Sequence, residues 1–310
     1  MKAIVCKGSG SADMLSLREV EKPVPKQTEV LVKVAASSVI MADVKLRKIP
    51  RFILVPIGLI FGFKPMQITG VEFAGIVEEA GTAVSRFSKG DKVFGTTTGL
   101  KNGGNAEYVC VPEEPKLGVI TGKPKNVSFK DTAVLPVGAM TALFLLDKFK
   151  IHAGDMVLIN GASGFLGTYA VQIAKYYGAE VTGVCSTSHV EIVSSVGADR
   201  VIDYTKSDFT QEDRRYDIVF DAVGKVSKGE CKGVLKKHGR FLSVNSPTKE
   251  SLESIDFLKT LLAEGQIRTV IDSQVSLAEV AEAHRYVEEG HKTGNLSVLV
   301  DDESQEKDGE

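Results

Sequence analysis

A short apolar strand, Val157-Leu158-Ile159-Asn160, runs without a break into Gly161-Ala162-Ser163-Gly164-Phe165-Leu166-Gly167. Apolar residues then recur at helical spacing as far as Tyr177. This stretch limits the fold more than any other in the chain. A glycine-rich turn between strand and helix has few backbone solutions, and the recurrent one points the free N–H groups of the helix start at an anion. In the spacing Ala-x-Gly-x-x-Gly, Ala162 is small enough for a tight turn. Gly164 lets backbone approach a pyrophosphate, and Gly167 lets helix and strand pack closely. Ala162, Ser163, Gly164, Phe165, Leu166 and Gly167 are therefore the expected dinucleotide-binding residues, against the plain alternative of a turn with no ligand.

The rest of the chain fits this reading. From about residue 128 strand and helix patterns alternate. Val181–Val184 reads as a strand, Val190–Val196 as a helix, and Arg200–Ile202, Ile218–Asp221 and Arg240–Val244 as further strands. Units of this length need right-handed crossovers, which give a parallel sheet with helices on both faces. Before residue 112 the rhythm differs: short extended runs (Val30–Val34, Phe73–Val77, Tyr108–Val111) are separated by turn residues such as Lys89-Gly90-Asp91. The fold class expected is α/β, a Rossmann doubly wound parallel sheet plus an N-terminal, mostly β domain. The expected boundaries are 1–124 plus 268–300 for the β-rich domain and 125–267 for the dinucleotide-binding domain. Residues 301–310 carry six acids and one lysine, so a disordered acidic tail is expected there.

The end of the second parallel strand bears on the choice of nicotinamide cofactor. An NAD site places Asp or Glu about twenty residues after the glycine loop, on the ribose 2′-hydroxyl. Here that place is Cys185-Ser186-Thr187-Ser188-His189, with no acid before Glu191. Nothing in this run repels a 2′-phosphate, the hydroxyls of Ser186 and Thr187 can donate to it, and His189 or Lys206 can supply charge. NADP(H) is the expected cofactor.

Bulk properties exclude several classes. A formal charge of −2, with 43% apolar and 25% charged residues, predicts no nucleic-acid partner. The four cysteines form no Cys-x-x-Cys pair, which argues against a structural zinc lobe and for a reducing, cytoplasmic setting. No signal peptide is read at the start of the chain. The twelve-residue run Phe52–Phe63 is interrupted by Pro and two Gly, so integral membrane insertion is not expected. Three functional readings fit the run: a lid over an apolar acceptor that uses Phe52, Leu54 and Phe61, a dimer contact, or a membrane-surface element. An ordinary buried loop is the alternative.

Taken together, several motifs resemble the quinone oxidoreductase branch of the medium-chain dehydrogenase/reductases. They are Gly161-Ala162-Ser163-Gly164 through Ala170–Lys175, Val181–Thr187, Gly197-Ala198-Asp199, Val201–Tyr204 and Gly290–Asn295. The likeness runs from Met1 to about Val300. It implies a GroES-like, partly barrel-like first domain, a cofactor in the cleft between domains, and a homodimer through the edge of the Rossmann sheet. It also implies further cofactor contacts at Thr141, Tyr204, Val223, Gly224, Asn245, Ser246 and Asn295. Zinc-dependent relatives hold their catalytic metal at three places that correspond to Ile40, Val71 and Val137, none of which can ligate. The resemblance thus implies zinc-independent hydride transfer to a quinone or α,β-unsaturated carbonyl, acceptors that need little polarisation. Substrate contacts are expected from Ile40, Phe52 and Phe61, and no side chain is assigned as catalytic. Ile40-Met41 departs from the Asn-Pro common in this branch. The competing reading is an NADP(H)-binding redox sensor or structural protein with little turnover. Asp43 is expected to orient its loop, Glu72 to be structural, and His152, His238, His284 and His291 to lie at the surface.

Overall fold

Ten consecutive residues, Glu-Val-Leu-Val-Lys-Val-Ala-Ala-Ser-Ser, form β3 (Glu29–Ser38), and nine of them are buried. The alternation of a half-solvated strand is lost because β3 has neighbours on every side. It pairs antiparallel with β4 (Glu72–Ala80), β6 (Tyr108–Pro112) and β14 (Asn295–Leu299). The computed structural model describes residues 1–50, 52, 53, 56, 68–97, 103–148, 150–290 and 292–301.

The chain divides into two units. The first comprises Met1–Val137, Glu250–Ala263 and Ile271–Glu310, and the second Gly138–Lys249 and Glu264–Val270. In the first, β5 (Lys92–Thr96), β7 (Ile120–Gly122) and β13 (Ile271–Ser276) complete a seven-stranded sheet ordered β13-β14-β3-β4-β5-β7, with β6 also on β3. A separate hairpin-like pair is formed by β1 (Lys2–Cys6) and β2 (Leu15–Glu19). Helix α1 (Met41–Lys48) and α2 (Phe129–Ala133) lie in this unit, and α3 (Pro136–Lys148) begins at its boundary. Val30, Val32, Val34, Phe73, Val93 and Ile120 form one apolar core in this unit, and Val39, Val44, Val280, Val287 and Val298 belong to another.

The second unit holds five parallel strands in the order β10-β9-β8-β11-β12. They are β8 (Met156–Asn160), β9 (Glu180–Cys185), β10 (Arg200–Asp203), β11 (Tyr216–Asp221) and β12 (Leu235–Ser243). Central β8 buries Val157, Leu158 and Ile159 completely, as a strand covered on both faces must. Helices α4 (Gly167–Tyr176) and α5 (Val190–Ser195) connect the first three strands. This is the parallel Rossmann sheet that the alternating pattern predicts.

Two helices belong to the later part of the chain. The sequence reading did not anticipate α6 (Leu252–Ala263), which buries Ile255, Leu258, Leu261 and Leu262. Thr96 donates to Glu250 at 2.8 Å and Thr121 to Asp256 at 2.6 Å, tying the helix to β5 and β7. Helix α7 (Val280–Glu289) buries Val280, Ala283, His284 and Val287, the i, i+3, i+4, i+7 stripe of an amphipathic helix. It ends at left-handed Gly290.

His284 corrects the sequence expectation of a surface histidine. Its place in the stripe leaves it fully buried, and burial together with the Arg47 charge lowers its pKa to about 3. His152 and His238 are exposed, and His291 lies outside the described residues. So do Leu54 and Phe61 of the apolar run and residues 302–310 of the acidic end. Phe52 is 77% exposed. No disulfide joins the four cysteines, and Cys6, Cys185 and Cys231 are buried. Among the described residues no helix is long and apolar enough to cross a membrane.

Candidate functional site

Parallel strands end together, so every loop that follows a carboxyl end in the second unit opens on one edge of the sheet. The expected cofactor residues follow those ends in turn. Residues 161–167 follow β8, Ser186 and Thr187 follow β9, and Tyr204 follows β10. Val223 and Gly224 follow β11, and Asn245 and Ser246 follow β12.

The glycines in this edge have separate jobs. Gly161 has φ +77°, and a Cβ there would meet Val223 Cγ2 at 2.3 Å. The left-handed position of the turn is thus Gly161, one residue before Ala162, to which the sequence reading assigned the turn. Ala162 is fully buried, and a Cβ on Gly183 of β9 would come 3.0 Å from its methyl. A Cβ on Gly167 would sit 2.0 Å from the Gly161 carbonyl oxygen, so helix α4 can approach the loop only with glycine there. Gly164 differs: its nearest neighbour would be 3.4 Å away, so the protein itself tolerates a side chain. Across the edge, a Cβ on Gly224 would meet the Asn245 amide at 2.8 Å, which brings these two loops into contact. Gly138 of α3 packs against the Phe165 ring, 2.9 Å from an added Cβ. Thr141, partly exposed, lies one helical turn farther on.

The loop after β9 is dense with hydroxyls. His189 Nδ1 lies 3.1 Å from Ser186 Oγ and 3.3 Å from Ser163 Oγ, and so links this loop to the glycine loop. The sequence reading found no acid at this place, but parallel register brings one from the next strand. Asp203 of β10 stands opposite Cys185. It accepts from Thr187 at 2.5 Å and from Thr205 at 2.7 Å, and pairs with Lys206 at 3.1 Å. The Thr187 and Thr205 hydroxyls hold its carboxyl well below the usual carboxylate range. Counting the register of the two parallel strands was the signal that would have found it.

The first unit gathers a second group. The Ile40 amide donates to Asp43 Oδ2 at 2.9 Å at the start of α1, and the Val137 amide donates to Glu72 Oε1 at 2.7 Å. Ser38 Oγ donates to Glu72 Oε2 at 2.5 Å. Val71 is the chain neighbour of Glu72, and with Gly70 it presents its amide toward Asp43. Two buried carboxyls therefore draw Ile40, Val71 and Val137 together. Burial pushes Asp43 up to about 7, against the pull of the surrounding amides. It pushes Glu72 up to about 8, against the hydrogen bonds from Ser38 and Val137, while Asp43 and Glu250 add to the rise. The side chains at the three convergent positions are aliphatic and offer a metal no donor. Among the described residues no three His, Cys, Asp or Glu side chains are placed to hold a metal. Asn295 also belongs to this unit and is buried at the start of β14.

Comparison with known proteins agrees with this architecture. The alcohol dehydrogenase GroES-like domain matches residues 26–120, and the zinc-binding dehydrogenase family matches residues 166–288. A 2-methylene-furan-3-one reductase of Solanum lycopersicum is 32% identical over 96% of this chain and 79% of its own. The chloroplastic NADPH-dependent alkenal/one oxidoreductase of Arabidopsis thaliana shows the same identity and coverage. Among solved structures, the quinone oxidoreductase from Coxiella burnetii superposes with a TM-score of 0.83 at 28% identity, covering 97% of this chain and 99% of that one. The chain belongs to the medium-chain dehydrogenase/reductase family, in the branch of the quinone oxidoreductases.

Proposed function

We propose that this protein is an NADPH-dependent, zinc-independent reductase of quinones or α,β-unsaturated carbonyls. The carrying observation is the Ile40–Val71–Val137 convergence around Asp43 and Glu72. A site without metal donors lacks the Lewis acid by which zinc enzymes polarise a simple alcohol or ketone. Quinones and conjugated enones accept hydride without that help, because the developing negative charge is delocalised. The relatives named for quinone and alkenal/one reduction support the same substrate classes.

The protein's work in such a reaction is mainly placement. NADPH, when bound, supplies the hydride. The glycine loop, with Ala162, Ser163, Gly164, Phe165, Leu166 and Gly167, would hold the pyrophosphate. Ser186, Thr187 and Tyr204 would take the adenosine side and its 2′-phosphate. Thr141, Val223, Gly224, Asn245, Ser246 and Asn295 would contact the remainder of the cofactor. Ile40 and Phe52 would give the acceptor an apolar surface. Lys206 offsets the Asp203 carboxylate beside the 2′ position, which keeps NADP(H) favoured. The exposed outer strand β12 is the edge through which a homodimer would form.

Incubation of the protein with NADPH and a short-chain enone, followed by mass analysis, tests the reading. The saturated carbonyl should accumulate in step with NADP+. Tight NADPH binding without product from enone or quinone would instead favour a nucleotide-binding sensor. The Ile40 side chain, in place of the branch's common Asn, is the feature that keeps that second reading in view.

A further inference from the structure

The loops after β8 and β9 are joined twice, once by backbone and once by side chains. The amides of Gly161 and Ala162 both donate to the Val184 carbonyl at 3.0 Å, which holds the glycine turn against the last residues of β9. The second join is the His189 ring. Its Nδ1 lies 3.3 Å from Ser163 Oγ in the glycine turn and 3.1 Å from Ser186 Oγ, and Ser186 Oγ lies 3.2 Å from Ser188 Oγ. Ser163 is buried, whereas His189 is half-buried, and its other ring nitrogen, Nε2, bonds none of the described residues.

A ring nitrogen without a proton offers a single lone pair. Nδ1 in that state can only accept, so the Ser163 and Ser186 hydroxyls both turn inward and compete for it. In the imidazolium each nitrogen carries a hydrogen, and the direction reverses. Nδ1 then donates to a serine oxygen, and both hydroxyl hydrogens are released for an anion beside a positive ring. A neutral ring reaches the same polarity only by leaving a lone pair on Nε2, and it adds no charge.

Imidazole is the side chain whose charge ordinarily changes between pH 5 and pH 8, and a phosphate monoester is largely dianionic above about pH 6. Few other charged groups surround the ring. The glycine turn carries no ionisable side chain, and the first turn of α4 carries no acid. Helix α5 brings Glu191, which is exposed. The end of β10 brings Tyr204, Asp203 and Lys206, and the last two pair with each other at 3.1 Å. Asp203 is further engaged by the Thr187 and Thr205 hydroxyls. The loop after β11, whose Val223 packs on Gly161, brings Lys225.

We propose that His189 is a specificity-determining residue that makes the hold on the cofactor's 2′-phosphate depend on pH. Protonated, it turns the Ser163–His189–Ser186 chain into a receiver for the phosphate; neutral, it closes that chain on itself. The inference rests on the NADP(H) reading above and concerns residues of the second unit alone. Binding of the phosphate then takes up a proton from the buffer, because the bound dianion favours the imidazolium.

The test uses the full chain with 2′,5′-ADP and 5′-AMP, which differ by the 2′-phosphate alone. Calorimetric titration from pH 6.5 to pH 8.5, in two buffers of different ionisation enthalpy, gives both Kd values and the protons taken up. Wild type should bind 2′,5′-ADP about tenfold more tightly at the acid end, the scale of one added charge-assisted hydrogen bond, with net proton uptake. Its Kd for 5′-AMP should change by less than about twofold. The His189 ring resonance, identified by its loss in His189→Gln, should titrate at higher pH with 2′,5′-ADP bound and stay unmoved with 5′-AMP. His189→Gln keeps a polar group beside both serines but cannot ionise, and should show the weak alkaline affinity throughout. His189→Lys, charged across this range, should show the tighter affinity throughout.

A wild type that prefers 2′,5′-ADP equally at every pH overturns the inference and leaves the NADP(H) reading standing. So does a His189→Gln protein that keeps the wild-type pH dependence. If His189→Gln also loses 5′-AMP, the proton uptake and ring resonance of the wild type decide. A wild type that binds the two ligands alike at every pH overturns the NADP(H) reading, and this inference with it.

Discussion

The backbone N–H of Val137 donates to Oε1 of Glu72 at 2.7 Å, across 65 residues of chain. This bond holds the start of α3 against the start of β4 and spends a buried carboxyl oxygen on doing so. It also makes the site sensitive to proton concentration.

Glu72 and Asp43 both have folded pKa values above those of an unfolded chain, about 8 and about 7. The folded state therefore binds protons that the unfolded state has already released. Their contribution to stability is complete below the unfolded values near pH 4 and is lost as pH rises through about 7 and about 8. Thermal midpoints should fall between pH 6 and pH 9. Glu72→Gln cannot ionise and should flatten that fall, which thermal unfolding at several pH values will measure.

Gly164 and Gly167 should respond differently to the same methyl group. Gly167→Ala drives a Cβ into the Gly161 carbonyl and should destabilise by about 1–3 kcal/mol, as overpacking commonly does. Gly164→Ala should leave the fold intact but occupy the space proposed for the pyrophosphate. Its thermal midpoint should stay within about 2 °C of wild type, while NADPH affinity drops at least tenfold. Calorimetric unfolding and titration with NADPH separate the two effects.

Ser186→Asp places a second carboxylate beside the Thr187–Asp203 pair. A 2′-phosphate would be repelled and a 2′-hydroxyl would not. NADPH affinity should fall by roughly two orders of magnitude, as expected for a like-charge pair in a partly desolvated site, with NADH changed far less. Equilibrium binding of both nucleotides to the variant and wild type is the check.

The buried guanidinium of Arg47 donates to the Gly10 carbonyl at 3.1 Å and to Glu288 at 2.5 Å. Removing Glu288 leaves that charge in an apolar setting. Glu288→Gln should lower the thermal midpoint clearly, whereas Lys48→Met, which deletes the exposed partner of the same carboxylate, should have little effect. Unfolding curves of the two variants decide this.

The sequence made the second unit largely readable, because its order is local. Strand, glycine turn and helix follow one another between Val157 and Tyr177, and each next strand repeats the rhythm. The same property explains what was missed. Asp203 reaches the loop after β9 through parallel register with Cys185, and α6 docks through Thr96–Glu250 and Thr121–Asp256, pairs 154 and 135 residues apart. His284 has the spacing of a core residue, and the general preference of histidine for the surface misled the reading there. Contacts between distant segments have no signature in a single sequence unless a shared pattern such as the glycine loop announces them.

The account turns on metal-free hydride transfer from NADPH. Its most direct measurement is the rate of NADPH oxidation by chelator-treated, metal-analysed protein, with a simple quinone and a short enone as acceptors and NADH as the comparison. The account predicts full activity without metal, a clear preference for NADPH, and no gain when zinc is restored. Activity that vanishes on chelation and returns with zinc would contradict it.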